Sequence, residues 1–276
     1  MAVKKVAFLG PLGTYSHLVA EKYFGRQVKL VPCSTILDVC SFVAGSRTRS
    51  GMIPIENSSG GAIYETVDIL LENKPRITIE HEVSLDVRLA LLGKPGETIR
   101  VLHSHFAPLE HCAPWIAKTL PNVEKSVVTS TAVAAERAAA ETGAAALGSR
   151  KLASLYGLKV LHYPVEADIP NLTVFYAVHG RKTAPERPSK TTLAAHLPNT
   201  PGSLCTFLEA FRDENVNLSR IISRPIRGCP REYAFLVDIQ GVPSQVRTQR
   251  ALEQARRVSV DLRQVGVYPC RKHYRS

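Results

Sequence analysis

Ile53-Pro54-Ile55-Glu56-Asn57-Ser58-Ser59-Gly60-Gly61 runs from an apolar strand through a carboxylate, an amide and two hydroxyls to a pair of glycines. Tyr64 to Leu71 beyond it has helical spacing. Strand ends that pass through polar groups into a helix N-terminus are where open α/β folds place ligands. A capped strand-to-helix loop accounts for any one of these polar residues alone. The unbroken run points instead to one wall of a cleft.

The 276 residues suffice for one large domain or two ordinary ones. Hydrophobic residues make up 45% and charged residues 21%, the balance of a soluble globular chain. No apolar run reaches bilayer-spanning length. The N-terminal apolar run stops at Gly10-Pro11, too short for a signal-peptide core, and reads as a first buried strand. Six cysteines (33, 40, 112, 205, 229 and 270) form no CxxC pair. Buried free thiols in a reducing cytosol are expected, with no metal site and no disulfide framework. The net charge of +11 is uneven: residues 1–180 hold 18 Lys/Arg against 16 Asp/Glu, residues 181–276 hold 17 against 8. The basic residues of the last third are not clustered with aromatics, and Arg250, Arg256 and Arg257 have helix-surface spacing. This argues for a solvated face and against nucleic acid.

Residues 181–190 are polar, hold two prolines and lack periodicity, so they read as a linker between domains over 1–180 and 191–276. Before it, strands at Val3–Leu9, Gly51–Ile55, Val83–Leu92, Arg100–His103, Lys125–Val128 and Ala144–Gly148 alternate with helices at His17–Phe24, Leu109–Leu120 and Ala132–Thr142. Such alternation argues for parallel sheets covered by helices, in two α/β lobes dividing near residue 80. After the linker, Thr191–Leu197, Gly202–Glu214, Asn217–Arg224, Glu232–Gln240, Gln245–Arg257 and Ser259–Val267 spell βαββαβ, a ferredoxin-like sandwich.

Three segments resemble anion sites at helix starts: Gly10 to His17 with Thr14 and Ser16, Ser58 to Gly61, and Thr129-Ser130-Thr131. Each alone is more often ordinary capping, but three in one domain suggest a ligand with more than one carboxylate. His103, His105 and His111 do not match a zinc spacing, and Cys112 suits an apolar helix face. In Asp168-Ile169-Pro170-Asn171-Leu172-Thr173, a polar start leads into a strand returning to the first lobe. Thr173 stands where its hydroxyl can face the cleft, although a plain strand after a turn at Asn171 fits as well.

GPLGTYS, PIENSSGG, the SH…C stretch, STAVAA, ALGSRKLASLYGL and NLTVF, in this order, resemble prephenate dehydratase over nearly the whole chain. The βαββαβ unit is similar to its ACT regulatory domain. The resemblance implies a two-lobed catalytic domain resembling the type II periplasmic-binding-protein fold, in a cytoplasmic homodimer or homotetramer. It implies conversion of prephenate to phenylpyruvate with loss of CO2 and water, without cofactor or metal, and no nucleic-acid or membrane partner. It nominates Thr173 as donor to the leaving oxygen. Glu56, Asn57, Ser104 and His111 stand with it as catalytic residues. Thr14, Tyr15, Ser16, Ser58, Ser130, Thr131, Asn171 and Phe175 stand as substrate-binding residues. Gly202, Ser203, Leu204, Asn217, Ser223 and Arg224 occupy the places of the phenylalanine-binding motifs.

Three positions depart from the family pattern. Val174 replaces the arginine of Thr-Arg-Phe, His111 replaces a glutamine, and Ile222 replaces the acid of Glu-Ser-Arg-Pro. The first two open the alternative of a decarboxylase that does not expel water, and the third predicts weakened phenylalanine control. A catalytically silent ligand sensor is a further alternative. Whether arogenate is accepted stays open.

Overall fold

The computed structural model describes residues 4–165, 170–180, 187–269 and 272–276. The first lobe runs β1 (Lys5–Leu9), α1 (Tyr15–Phe24), β2 (Lys29–Cys33), α2 (Ile36–Ala44), β3 (Ser50–Asn57), β4 (Gly61–Ala62), α3 (Tyr64–Glu72) and β5 (Thr78–Asp86). The second holds β6 (Leu89–Gly93), β7 (Val101–Ser104), α4 (Phe106–His111), α5 (Ala113–Thr119), β8 (Glu124–Val127), α6 (Thr131–Ala140), β9 (Ala144–Gly148), α7 (Lys151–Tyr156) and β10 (Lys159–Val165). The chain then returns through β11 (Leu172–His179) to the first lobe. β12 (Lys190–His196), α8 (Ser203–Asp213), β13 (Leu218–Pro225), β14 (Tyr233–Ile239), α9 (Val246–Arg257) and β15 (Asp261–Tyr268) form the expected βαββαβ unit, and β16 (Lys272–Arg275) follows. Of the expected linker, residues 181–186 lie outside the described residues, as do Asp168 and Cys270.

Both lobes are α/β, but their sheets are mixed rather than parallel. The first lobe orders its strands β5-β11-β3-β1-β2 and the second β10-β6-β9-β7-β8. β1, β3 and β5 run one way and end at the cleft, whereas β11 enters from the cleft and pairs antiparallel with β3 and β5. The same geometry makes β6 antiparallel to β9. Val83–Leu92, expected as one strand, breaks at Val87-Arg88 and serves two sheets. The helix expected over Leu109–Leu120 divides at Cys112, just before Pro114 enters the first turn of α5.

The C-terminal unit is joined to the first lobe by its sheet. β15 lies beside β5 at Gly266 and Ile79. A Cβ at Gly266 would come within 2.9 Å of the Ile79 Cβ, so the close approach requires glycine. One apolar core fills the space under α2 and α3 and continues into this unit through Ala194, Leu236, Val265 and Tyr268. A second lies on the opposite face of the first sheet, around Phe8, Met52 and Phe175. Burial of the thiols holds for Cys40 and Cys112, but Cys205 and Cys229 are exposed: α8 presents Cys205 to solvent and Cys229 sits in the β13–β14 turn.

Candidate active site

Six of the eight residues of β3 are buried, which makes it a rigid central strand. Its register with β11 pairs Asn57 with Thr173 and Glu56 with Val174, then slips so that Phe175 meets Pro54. The slip is a β-bulge at Ile55, and it re-aims the end of the strand. Ile55 stays in the core under α2 and α3, while Pro54 and Asn57 face a cleft of about 640 Å³ between the lobes.

Of the expected residues, Thr14, Tyr15, Ser16, Asn57, Ser130, Thr131, Asn171, Thr173 and Phe175 line this cleft. Its centre is a hydrogen-bonded trio. Asn57 Nδ2 donates to Thr173 Oγ1 at 2.8 Å and to Asn171 Oδ1 at 3.0 Å. Asn57 Oδ1 accepts from the Ser59 and Gly60 amides, each at 2.9 Å, which fixes the orientation of the amide group. Because Thr173 Oγ1 accepts from Asn57, its own hydrogen can be turned into the cleft.

Two helix starts face the same space. Thr14 caps α1 by accepting from the His17 amide, and Ser130 caps α6 by accepting from Val133 at 3.1 Å. The Tyr15, Ser16, Thr131 and Ala132 amides have no intrahelical acceptor and carry the positive end of each helix. None of the described residues lining the cleft is Lys, Arg, Asp or Glu. An anion in this space would meet amides, hydroxyls and helix ends. Burial lowers the pKa of His105, which lines the cleft and caps α4 by accepting from Ala107 at 3.4 Å. His105, Cys33, Ser34 and Ser59 also line it without having been assigned as site residues; the signal available was their place at or just after the ends of β7, β2 and β3.

Five of the residues singled out in the sequence do not line the cleft. The Glu56 side chain does not line the cleft; the bulge directs it toward the C-terminal unit, where Arg220 holds it. Ser58 is exposed and latches β3 to β11, donating to Pro170 O at 3.1 Å and accepting from Leu172 N at 2.9 Å. It lies before β4, so it is not at the start of α3, whose cap residue is Ile63. Ser104 is fully buried behind His105, and its Oγ has no partner among the described residues. His111 is buried beside the cleft, where Nδ1 lies 3.1 Å from Ser59 Oγ and ties the second lobe to the first. Val174, next after Thr173, alternates to the opposite face and is buried in the core under α2 and α3. Its exchange for arginine therefore removes no guanidinium from the cleft. The other two histidines of that region serve separately: His103 pairs with Glu141 at 2.9 Å, and His105 caps α4.

Further bonds join the lobes around the cleft. Ser149 Oγ donates to Gly13 O at 2.9 Å, Tyr15 donates to Arg88 O at 3.2 Å, and Lys151 pairs with Glu21. Gly13 has φ +88°, a left-handed conformation that favours glycine, and a Cβ there would lie 2.3 Å from the end of the Leu152 side chain, which would have to move.

Behind the cleft the first lobe meets the C-terminal unit through buried charges. Arg220 on β13 donates from Nε and Nη2 to Glu56 Oε2 at 2.9 and 2.8 Å, and from Nη1 to Tyr176 OH at 2.7 Å. Nη1 also contacts Asp238, and Lys190 pairs with Glu82 at 2.7 Å and Asp238 at 3.2 Å. Thr192 Oγ1 donates to Asp238 at 2.6 Å. Long-range pairing of this kind satisfies carboxylates that burial would otherwise make costly.

The residues in the effector motifs do not converge within the chain. Gly202 begins α8 at φ +85°, and Ser203 and Leu204 line a small hollow with Arg231 and Tyr233. Arg224 faces the opposite side of the sheet, in a 510 Å³ groove, bound to Asp68 of α3 through two bonds of 2.6 and 2.8 Å. Strand alternation turns Ser223 away from that groove, and Asn217 lines neither hollow. Ile222 packs against the shared core and pairs with Leu236 on β14.

Comparison with known proteins matches residues 6–183 to the family described as prephenate dehydratase and residues 191–257 to the ACT domain. A bifunctional chorismate mutase/prephenate dehydratase of Aquifex aeolicus is 33% identical over 265 residues, covering 96% of this chain and 73% of that protein. A crystal structure of prephenate dehydratase from Arthrobacter aurescens in complex with L-Phe has a TM-score of 0.86 at 29% identity, covering 96% of this chain and 90% of the other. A structure described as GqqA, a novel type of quorum quenching acylase, has a TM-score of 0.85 at 29% identity, covering 96% and 98%.

Proposed function

The chain belongs to the prephenate dehydratase family, and from that premise we propose that its cleft converts prephenate to phenylpyruvate, CO2 and water through the Asn57–Thr173 pair. The reaction needs two things of a protein. Both carboxylates must be held, and the departing ring oxygen must meet a hydrogen-bond donor. The starts of α1 and α6 supply anion anchors. Thr173, whose oxygen is engaged by Asn57, supplies the donor. As the ring carboxylate leaves as CO2, its bond pair moves through the diene, the ring becomes aromatic and the C–O bond breaks. The oxygen takes up a proton and departs as water. Aromatisation drives the step, so the chemistry asked of the side chains is orientation and proton supply.

The single observation that carries this reading is the 2.8 Å contact between Asn57 and Thr173 in a cleft whose described lining residues carry no formal charge. The alternative of decarboxylation without dehydration rested on Val174 and His111. Neither lines the cleft, which favours the dehydratase. A silent sensor would have no use for a donor held in this way. Burial, with a smaller contribution from Asp38, pushes the thiol of Cys33 up, which makes that thiol a poor nucleophile for an acylase. Incubation with prephenate separates the readings: phenylpyruvate for the dehydratase, CO2 alone for the decarboxylase, no turnover for the sensor.

We assign catalysis to residues 1–180 and regulation to 191–276, in a cytoplasmic homodimer or homotetramer. Amino-acid control is weakened because Ile222 offers a hydrocarbon where the family motif has a carboxylate. Phenylalanine titration of the assay and light scattering test these two assignments.

A further inference from the structure

We propose that Arg220, contributed by the C-terminal unit, is a positioning residue for the dehydration pair. This rests on the dehydratase reading of the cleft. One guanidinium binds both strands that carry the pair. Nε and Nη2 hold Glu56, the residue before Asn57 on β3, and Nη1 holds the hydroxyl of Tyr176, three residues beyond Thr173 on β11. The Arg220 side chain is only 6% exposed, against 43% for Glu56. Its other contacts, Asp238 and Glu82, are wholly buried, and Lys190 holds them both.

The bulge makes this clamp bear on the site. Without the slip at Ile55, Glu56 and Ile55 would point to opposite faces. With it, both face the C-terminal unit and the next side chain, Asn57, faces the cleft. Any rotation of the Glu56 peptide is thus transmitted to the Asn57 amide, whose contact with Thr173 tolerates only small displacement before the hydrogen bond weakens. A fork-shaped donor suits this task. A lysine at position 220 would keep the charge and could reach Glu56 or Tyr176, but could not fix both with the same geometry.

Full removal of Arg220 would leave Asp238 and Glu82 with Lys190 as their shared cation and risks unfolding. The test therefore uses Arg220→Lys and Glu56→Gln in the full-length chain. A positioning role predicts that each lowers kcat about tenfold, with KM changed less than twofold and the shape of the pH–rate profile retained. The double variant should lose little more than either single one. Hydrogen exchange, which needs no substrate, should rise at residues 56–58 and 172–174 in both variants. Failure of the wild type to turn over prephenate would count against the dehydratase reading, while unchanged exchange would count against the clamp. The proposal is overturned if kcat is unaffected in both variants. It is also overturned if Glu56→Gln abolishes activity with loss of one limb of the pH profile, which would place that carboxylate in the chemistry.

Discussion

Asn57 Nδ2 lies 2.8 Å from Thr173 Oγ1, joining the last residue of β3 to the second residue of β11 across an antiparallel register. The Asn57 amide is fully engaged, with two bonds donated and two accepted. It therefore sets the direction of the Thr173 hydrogen rather than merely touching it.

Asn57→Asp tests that directional role. The carboxylate can still accept from the Ser59 and Gly60 amides but presents an acceptor to Thr173 and to Asn171 Oδ1. The Thr173 hydrogen then turns back toward position 57. Steady-state kinetics should show kcat lower by about 10²-fold or more, within the range of a lost proton donor, and KM changed by only a few-fold.

Much of this pair was legible before any coordinates. Polar residues at the end of a buried strand mark a ligand-facing edge, and Asn57 and Thr173 both sit at such edges. Glu56 was not legible in the same way, because its direction depends on a bulge that only the pairing with β11 creates. Arg220 lies 164 residues from Glu56 in sequence, and its place on a charged strand gave no sign of a partner so far away. The break at Val87-Arg88 was hidden for another reason: the alternation of Val83, Leu85, Val87 and Leu89 with polar residues runs on across it into the apolar run of β6. Val174 and His111 drew attention as departures from the family pattern. The alternation of β11 and the fold of α4 decide that neither lines the cleft.

Val174→Ala separates core from cleft. Its side chain is 5% exposed in the core shared with the C-terminal unit. Loss of two methyl groups there should cost about 1–3 kcal/mol of stability in denaturant unfolding. KM for prephenate should stay within twofold of wild type. A large change in KM with unchanged stability would put position 174 in the cleft.

His111 should act through its bond to Ser59 across the lobes. His111→Ala removes one hydrogen bond, worth about 0.5–1.5 kcal/mol, and should raise KM roughly two- to tenfold. His111→Gln, restoring the family residue, can still reach the serine and should keep KM near the wild-type value. Ser59→Ala should match His111→Ala, and the two should not add.

Acid should destabilise the fold before carboxylates titrate. Burial lowers the pKa of His17, with Glu21 opposing and Lys151 assisting, and burial lowers that of His105. His17 Nδ1 accepts the Gly13 amide at 2.9 Å, a bond that protonation would break. Below the unfolded value of 6.5 the unfolded chain binds protons that the folded chain resists. Stability should therefore fall as pH drops below 6.5. His105→Asn should reduce that slope in urea titrations at matched ionic strength.

Parallel measurement of CO2 and phenylpyruvate from prephenate, in wild type and Thr173→Val, tests the central claim most directly. The valine keeps the shape of the side chain and removes the hydroxyl that Asn57 orients. Wild type should release the two products in equal amounts, and Thr173→Val should slow both together by about 10²-fold or more. Wild-type rates in Thr173→Val, or CO2 released by wild type without phenylpyruvate, would contradict it.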